Sequence, residues 1–410
     1  MLSLLSSGVR QYLIVTGNYW AFTLTDGALR MLVVLHFHGM GYSPLEIALL
    51  FLFYEIFGVI TNLVGGWLGA HLGLNRTMNI GLALQIIALT MLLVPATWLT
   101  VPWVMASQAL SGVAKDLNKM SAKSAIKLLV PEEAQGKLYQ WVALLTGSKN
   151  TLKGVGFFLG GALLMLLGFA GAAAAMAVLL TLVWLTSLVL LKQDLGKAKH
   201  KPKFRDIFSK SATINILSAA RMFLFGARDV WFVVALPVFL SQTLGWSHSQ
   251  TGGFLALWVI GYGLVQTIAP YITASPKKTP DGRTASLWAL ILTLLPGGIA
   301  LGLMLGLDPA TVLISGLMLF GAIFAINSSL HSYLIVRYAG NDGVSLDVGF
   351  YYMSNAMGRL IGTLLSGWIF QLAGQGSSGL QACLIISLGF LLLATLISLK
   401  LPRTGTEQTA

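Results

Sequence analysis

Residues 192–210 read Lys192-Gln193-Asp194-Leu195-Gly196-Lys197-Ala198-Lys199-His200-Lys201-Pro202-Lys203-Phe204-Arg205-Asp206-Ile207-Phe208-Ser209-Lys210. Seven bases in nineteen positions cannot sit in hydrocarbon. The run lies near the middle of a 410-residue chain that is otherwise 56% hydrophobic and 10% charged, with a mean hydropathy of +0.79. Soluble domains carry about 25% charged residues. The composition therefore excludes an ordinary cytosolic enzyme, a disordered chain and a nucleic-acid-binding module, despite a net charge of +12. What remains is a membrane-embedded protein divided by a basic loop.

A spanning helix needs about 20 apolar residues. Twelve stretches qualify, at residues 12–36, 45–69, 77–96, 101–127, 138–168, 171–192, 212–240, 251–273, 285–306, 310–336, 347–373 and 379–400. Turn residues separate them, among them Gly41-Tyr42-Ser43-Pro44, Pro131, Gly245-Trp246-Ser247, Asp308-Pro309 and the glycine-serine run 374–379. The expected fold is all-α and polytopic. A six-helix bundle (residues 1–192), a basic cytoplasmic linker (193–211) and a second six-helix bundle (212–410) make up the chain. No signal peptide is read before the first span.

Loop charge orients the bundle. Arg10, Arg76, Lys123, Lys127, Lys137, Lys277, Lys278, Arg283, Arg337 and Arg403 fall in the even-numbered loops or at the termini, as does the middle run, and the odd-numbered loops hold no Lys or Arg. Both termini are expected in the cytoplasm, and much of the +12 is a topology signal.

The two halves share a pattern. Ser148-Lys149-Asn150-Thr151-Leu152-Lys153-Gly154-Val155-Gly156, then Gly160-Gly161, is echoed 206 residues later by Ser354-Asn355-Ala356-Met357-Gly358-Arg359-Leu360-Ile361-Gly362, then Ser366-Gly367. The shift sets Lys153 on Arg359 and Gly156 on Gly362. Repeats of this kind build transporters. The small residues Gly156, Gly160 and Gly161 serve either plain helix packing or a sliding contact between bundles.

Ionisable groups in mid-membrane cost at least ~2.5–3.5 kcal/mol each. Here the bases are Arg30, Lys115, Lys149, Lys153, Arg221, Arg228 and Arg359; the acids are Asp26, Glu55, Asp116 and Asp229. At 1.5 Å per residue, Lys149, Lys153, Arg228 and Arg359 lie roughly 17–24 Å into their spans. Asp26 and Arg30, four residues apart, are expected to pair. Lys119 and Lys123 are near enough to the cytoplasmic end to snorkel. The excess of bases predicts an anion-binding cavity at the midplane between the halves, with arginine forks on phosphate, arsenate or carboxylate oxygens. Lys115, Asp116 and Lys119 would line its cytoplasmic approach. Asn18, Tyr19, His331 and Asn355 are polar candidates for the same site, each equally able to bond a neighbouring helix. Trp20, Asn118, Asn150, Asn327, Ser328, Ser329, Tyr333, Tyr351 and Tyr352 belong to the same polar set. The four acids are candidate proton carriers or fixed partners of bases. No cofactor is implied. The single Cys383 allows no internal disulfide and no cysteine metal cluster, and no metal-ligand spacing, nucleophile elbow or phosphate loop points to an enzyme.

Twelve spans about a basic loop resemble the major facilitator superfamily. Gly66-Trp67-Leu68-Gly69-Ala70-His71-Leu72-Gly73-Leu74-Asn75-Arg76 resembles the loop signature of that family, with Ala70 where the family has aspartate. Gly156-Phe157-Phe158-Leu159-Gly160-Gly161 resembles its antiporter motif, with Phe157 in place of proline. A closer resemblance is to the ArsJ-type organoarsenical efflux permeases. It rests on residues 16–30 (Thr16-Gly17-Asn18-Tyr19-Trp20 through Asp26-Gly27-Ala28-Leu29-Arg30), Ala114-Lys115-Asp116-Leu117-Asn118-Lys119-Met120, Gly147-Ser148-Lys149-Asn150 and Phe225-Gly226-Ala227-Arg228-Asp229-Val230-Trp231. It implies a monomeric multi-pass carrier of the bacterial inner membrane exporting 1-arseno-3-phosphoglycerate by alternating access. The compound is supplied by a companion glyceraldehyde-3-phosphate dehydrogenase, and the result is arsenate resistance. A small molecule with an anionic group at each end suits a basic cavity, and one cysteine does not suit trivalent arsenic. A carrier or exchanger of other organic anions, such as sugar phosphates, would use the same residues. A channel fits a two-fold repeat less well.

Overall fold

A computed structural model describes residues 7–42, 50–130, 134–191, 195–199, 202–208, 211–274 and 279–403. Ser43, Pro44, Pro131, Lys192, Lys201, Lys210, Lys277 and Lys278 lie outside the described residues. The described residues contain helices and no strand. In chain order these are α1 (Ser7–Gly39), α2 (Leu52–Leu72), α3 (Leu74–Met91), α4 (Val101–Leu129), α5 (Gln135–Leu190), α6 (Ala212–Phe232), α7 (Ala235–Gln242), α8 (His248–Thr273), α9 (Gly282–Met304), α10 (Pro309–Tyr338), α11 (Val344–Leu372) and α12 (Gly376–Ser398). Two short 3₁₀ turns, Ala96–Trp98 and Phe204–Ile207, complete the set.

The breaks have local causes. Gly73 at φ +93° turns α2 into α3, a conformation that costs glycine little. Gly168, at φ +69° and ψ −179°, divides α5 where the sequence ends one span at 168 and begins the next at 171. The seventh expected span is interrupted after Phe232 and resumes as α7, and the amide of Ala235 is satisfied by Ser366 Oγ at 3.1 Å. Capping boxes start α8 (Ser247, Gln250) and α9 (Asp281, Thr284), and Pro102 sits in the first turn of α4.

Six segments among the described residues are long and apolar enough to cross a membrane: 136–190, 212–242, 250–273, 282–304, 309–338 and 376–398. Of the eleven charged groups read from the sequence, Lys149, Lys153, Arg221, Arg228 and Asp229 lie on two of these segments, and the other six lie on α1, α2, α4 and α11. The stretch 136–190 turns much of its surface outward, with Met165 81% and Leu166 73% exposed, as a lipid-facing helix requires.

The chain packs as two compact units. The first takes residues 1–209 and 339–353; the second takes 210–338 and 354–410. In the first, α1 lies against α5, α2 and α3 against α4, around Phe22, Leu29, Leu32, Phe37, Tyr54, Leu82 and Phe169. In the second, α12 packs on α6 and α9, and α10 on α8 and α9, around Trp231, Phe239, Phe320, Phe324 and Leu384. Helix α11 begins in the first unit and passes into the second at residue 354.

Candidate functional site

In the first unit the charged side chains converge from four helices. Asp26 (α1) is 5% exposed, and Tyr54 (α2) donates its hydroxyl to both carboxylate oxygens, at 2.8 and 3.1 Å. Lys153 (α5) brings its ammonium to 4.0 Å from Asp26 Oδ2. The expected Asp26–Arg30 pair does not form. Arg30 turns to Glu55 at 3.8 Å and lies over the rings of Phe51 and Tyr54, at 4.8 and 5.4 Å. Four residues on a helix give proximity, but Tyr54 and Lys153 approach Asp26 from other helices and occupy its oxygens.

On α4, Asp116 is 1% exposed and takes Lys119 at 2.6 Å, with Lys115 at 3.9 Å. Lys115 also lies 3.7 Å above the Tyr54 ring. Lys149 on α5 donates to the amide oxygen of Asn150 at 3.1 Å. No carboxylate among the described residues lies within ion-pair distance of it. Lys153, Lys119 and Lys115 act on it electrostatically, with Asp26 the acid in that set. Lys149 thus sits mainly among positive charges, which repel one another.

In the second unit Asp229 (α6), fully buried, serves two arginines. Arg228 donates through Nε at 2.6 Å and Nη2 at 2.5 Å to Oδ1, and Arg359 (α11) through Nε at 3.3 Å to Oδ2. Arg228 is also framed by the rings of Phe225, Phe324 and Phe232, at 5.0, 5.3 and 5.9 Å. Arg221 donates to Asn355 Oδ1 at 2.8 Å and to the Ser328 carbonyl at 3.2 Å, and lies 3.9 Å over Phe225. His331, 1% exposed, has no hydrogen-bond partner for either ring nitrogen among the described residues, and Arg221 acts on it electrostatically.

The internal repeat reaches the level of ion pairs. Asp26–Lys153 joins α1 to α5, and Asp229–Arg359, about 200 residues on, joins α6 to α11. Beside each pair the two backbones touch through glycine. A Cβ on Gly27 would meet the Lys153 carbonyl at 2.7 Å, and one on Gly362 would meet the Gly226 carbonyl at 2.7 Å. Small residues thus bring the backbones close enough for a short acid and a long base to meet.

The other sequence candidates go elsewhere. Asn18 bonds Ser187 at 2.8 Å, and Ser187 bonds Asn79 at 2.6 Å, a polar tie joining α1, α3 and α5. Tyr19 is buried and coupled electrostatically to Tyr352, Asp116 and Asp26. Asn327 donates to the carbonyls of Trp288 and Ile323. Lys123, expected at the interface as a topology marker, is instead 3% exposed and donates to the Tyr352 hydroxyl. Tyr54 escaped sequence reading because an aromatic in an apolar span looks like core; the adjoining Glu55 was the available signal.

The Major Facilitator Superfamily profile matches residues 12–346. The chain belongs to that superfamily. No curated protein matches it. Solved superfamily-type structures share its fold. The human organic anion transporter MFSD10 (TETRAN) superposes with a TM-score of 0.76 at 17% identity, over 96% of this chain and 100% of that one. A bacterial homologue of the iron transporter ferroportin, in an outward-facing state, gives 0.72 at 15%, over 95% and 98%. The E. coli fucose:proton symporter FucP gives 0.68 at 13%, over 95% and 99%. These neighbours and the superfamily are transporters, not enzymes, so this all-helical facilitator is a multi-pass membrane transporter.

Proposed function

We propose that this facilitator exports a small organic oxyanion, and that the substrate is the organoarsenical 1-arseno-3-phosphoglycerate. The observation that supports this is the excess of base over acid among the mid-helix charges of each unit. The helix interiors of the first hold Arg30, Lys115, Lys119, Lys149 and Lys153 against Asp26, Glu55 and Asp116; those of the second hold Arg221, Arg228 and Arg359 against Asp229. Among these groups each unit keeps two positive charges beyond its acids, and Lys123 adds a third to the first unit; an anion relieves them. Lys149 is the leading substrate ligand because its neighbours are bases. Arg228 and Arg359, both anchored on Asp229, are the arginines proposed to face a tetrahedral oxyanion. Lys115, Lys119, Arg30, Lys153, Arg221, Tyr19, Asn355 and His331 complete the proposed lining. Asn18, tied to Ser187, has the weakest support among the residues read from the sequence. MFSD10 is described as an organic anion transporter, a precedent for anionic cargo on this fold.

The residues act by charge and position alone. Export from a bacterial inner membrane with cytoplasmic termini, monomeric action and supply by a companion dehydrogenase belong to the same proposal. Cells carrying Lys149→Ala or Arg359→Ala at normal protein level are expected to lose arsenate resistance. Full resistance in both variants would defeat the site. Everted vesicles offered the organoarsenical and 3-phosphoglycerate separately decide the cargo. Uptake of phosphoglycerate alone would favour the sugar-phosphate exchanger.

A further inference from the structure

The loop-charge reading made Lys123 a topology marker, but in the structure it joins Lys119 and Tyr352 in a cluster of the first unit. Lys119 and Lys123 are one turn apart on α4 and share a face. Their ammonium groups lie 4.7 and 4.9 Å from the centroid of the same Tyr352 ring. Lys123 donates to the Tyr352 hydroxyl, and Lys119 is drawn toward Asp116. Two cations thus converge on one neutral aromatic group, with Lys115 on the far side of the same carboxylate. A hydroxyl is a weaker acceptor for a buried ammonium than an oxyanion is.

Tyr352 stands near the end of residues 339–353, the part of the chain beyond the linker that packs in the first unit. Other contacts also hold that segment. Ser345 Oγ donates to the Gly66 carbonyl at 2.7 Å, and Asp342 Oδ1 accepts from the Lys199 amide at 2.9 Å. Gly66 and Gly349 touch so closely that a Cβ on Gly349 would lie 2.6 Å from the Asn62 carbonyl. Ala70 supplies no charge here. The Lys123–Tyr352 bond is one fastening of this segment that an incoming anion can compete for.

We propose that Lys119, Lys123 and Tyr352 form a second anion site, and that a phosphate-like oxyanion bound there takes Lys123 from the Tyr352 hydroxyl and loosens the first turns of α11. The proposal rests on the oxyanion reading above and adds to it a site and a consequence of filling it.

Cys383 is the one cysteine, so Cys383→Ser gives a clean background. Val348, fully buried in the same segment, becomes a reporter as Val348→Cys. Maleimide labelling of the purified full chain in detergent is measured with inorganic phosphate or 3-phosphoglycerate, against chloride at equal ionic strength. Both anions are expected to speed labelling of the parent. Tyr352→Phe is expected to label at least about tenfold faster without anion, as loss of a hydrogen bond to a charged group implies. Lys123→Gln is expected to lose the anion response. Melting curves establish that each variant is folded, and Tyr352→Phe, which keeps the ring, carries the test if Lys123→Gln does not fold. Unchanged parent labelling at anion concentrations that raise its melting temperature overturns the second site and leaves the oxyanion reading standing, as does an anion response retained in Lys123→Gln. Anions that neither stabilise the parent nor alter its labelling overturn both.

Discussion

Asp229 is the residue on which the second unit's bases depend. Its carboxylate is fully buried and takes Arg228 on one oxygen and Arg359 on the other. Asp229→Asn removes the charge and keeps the shape, leaving two guanidinium groups without that carboxylate. The expected loss is about 3 kcal/mol or more, the scale for breaking a buried pair. Adding Arg359→Gln should restore part of it, because one of the stranded cations is then gone. Thermal melts of the single and double variants check this; a double variant that melts below Asp229→Asn would show that the pair is not the cause. The sequence made these four acids and seven bases conspicuous, since charge in an apolar span is rare. It could not assign partners. Asp26 looked like the partner of Arg30 on helical spacing, yet Tyr54 and Lys153 reach it from other helices. Lys123 looked like an interfacial base, yet it is buried beneath Tyr352. Contacts from distant segments carry no local pattern.

Among elements, α1 supplies its own control. Gly17 and Gly27 lie on the same helix, ten residues apart. A Cβ at Gly17 meets nothing within 4 Å, whereas one at Gly27 would press on the Lys153 carbonyl at 2.7 Å and on Gly156 Cα at 3.3 Å. Gly17→Ala should be neutral or stabilise by about 0.5–1 kcal/mol through helix entropy. Gly27→Ala should cost about 1–3 kcal/mol by forcing α1 and α5 apart, and should weaken the Asp26–Lys153 pair beside it. Melting temperatures in one detergent compare them, and equal melting would refute the crossing. The start of α10 gives a pH test outside the membrane. Asp308 accepts the Thr311 amide at 2.8 Å, and bonds from Thr311 hold its carboxyl below the ordinary range. A depressed folded-state pKa means that the cap's contribution is complete above the unfolded carboxylate pKa and is lost as pH falls through the lower folded value. Amide exchange in the first turn of α10, corrected for intrinsic rates, should therefore rise at acid pH in the parent and not in Asp308→Asn. The glycines that make these elements close were legible as a stripe in the sequence; which helix each one touches was not.

For the whole molecule, the expectation of two halves rested on the basic run 192–210, which interrupts apolar sequence, and on the 206-residue echo that aligns Lys153 with Arg359; the compact units depart from those halves in that residues 339–353 pack in the first. In the structure each unit carries an acid–base pair beside a glycine contact. What the repeat does not copy is the count of charges. The first unit has a lysine, Lys149, set among other lysines, and the second has arginines fixed on one acid. An excess of base in both units bears on energy coupling. If the carrier's own charge is fixed, moving an anion outward carries net negative charge out of a negative interior, and the membrane potential contributes ~2.3 kcal/mol per charge per 100 mV. Proteoliposomes loaded with substrate should therefore export faster when a potassium gradient with valinomycin makes the lumen negative, and collapse of the pH gradient alone should leave that rate unchanged. Steeper dependence for a doubly charged substrate than for a singly charged one would confirm that the substrate's charge moves. Export that follows the pH gradient and ignores the potential would instead mean that protons cancel the charge, and would direct attention to Asp26, the acid that shares its base with a tyrosine instead of a second guanidinium.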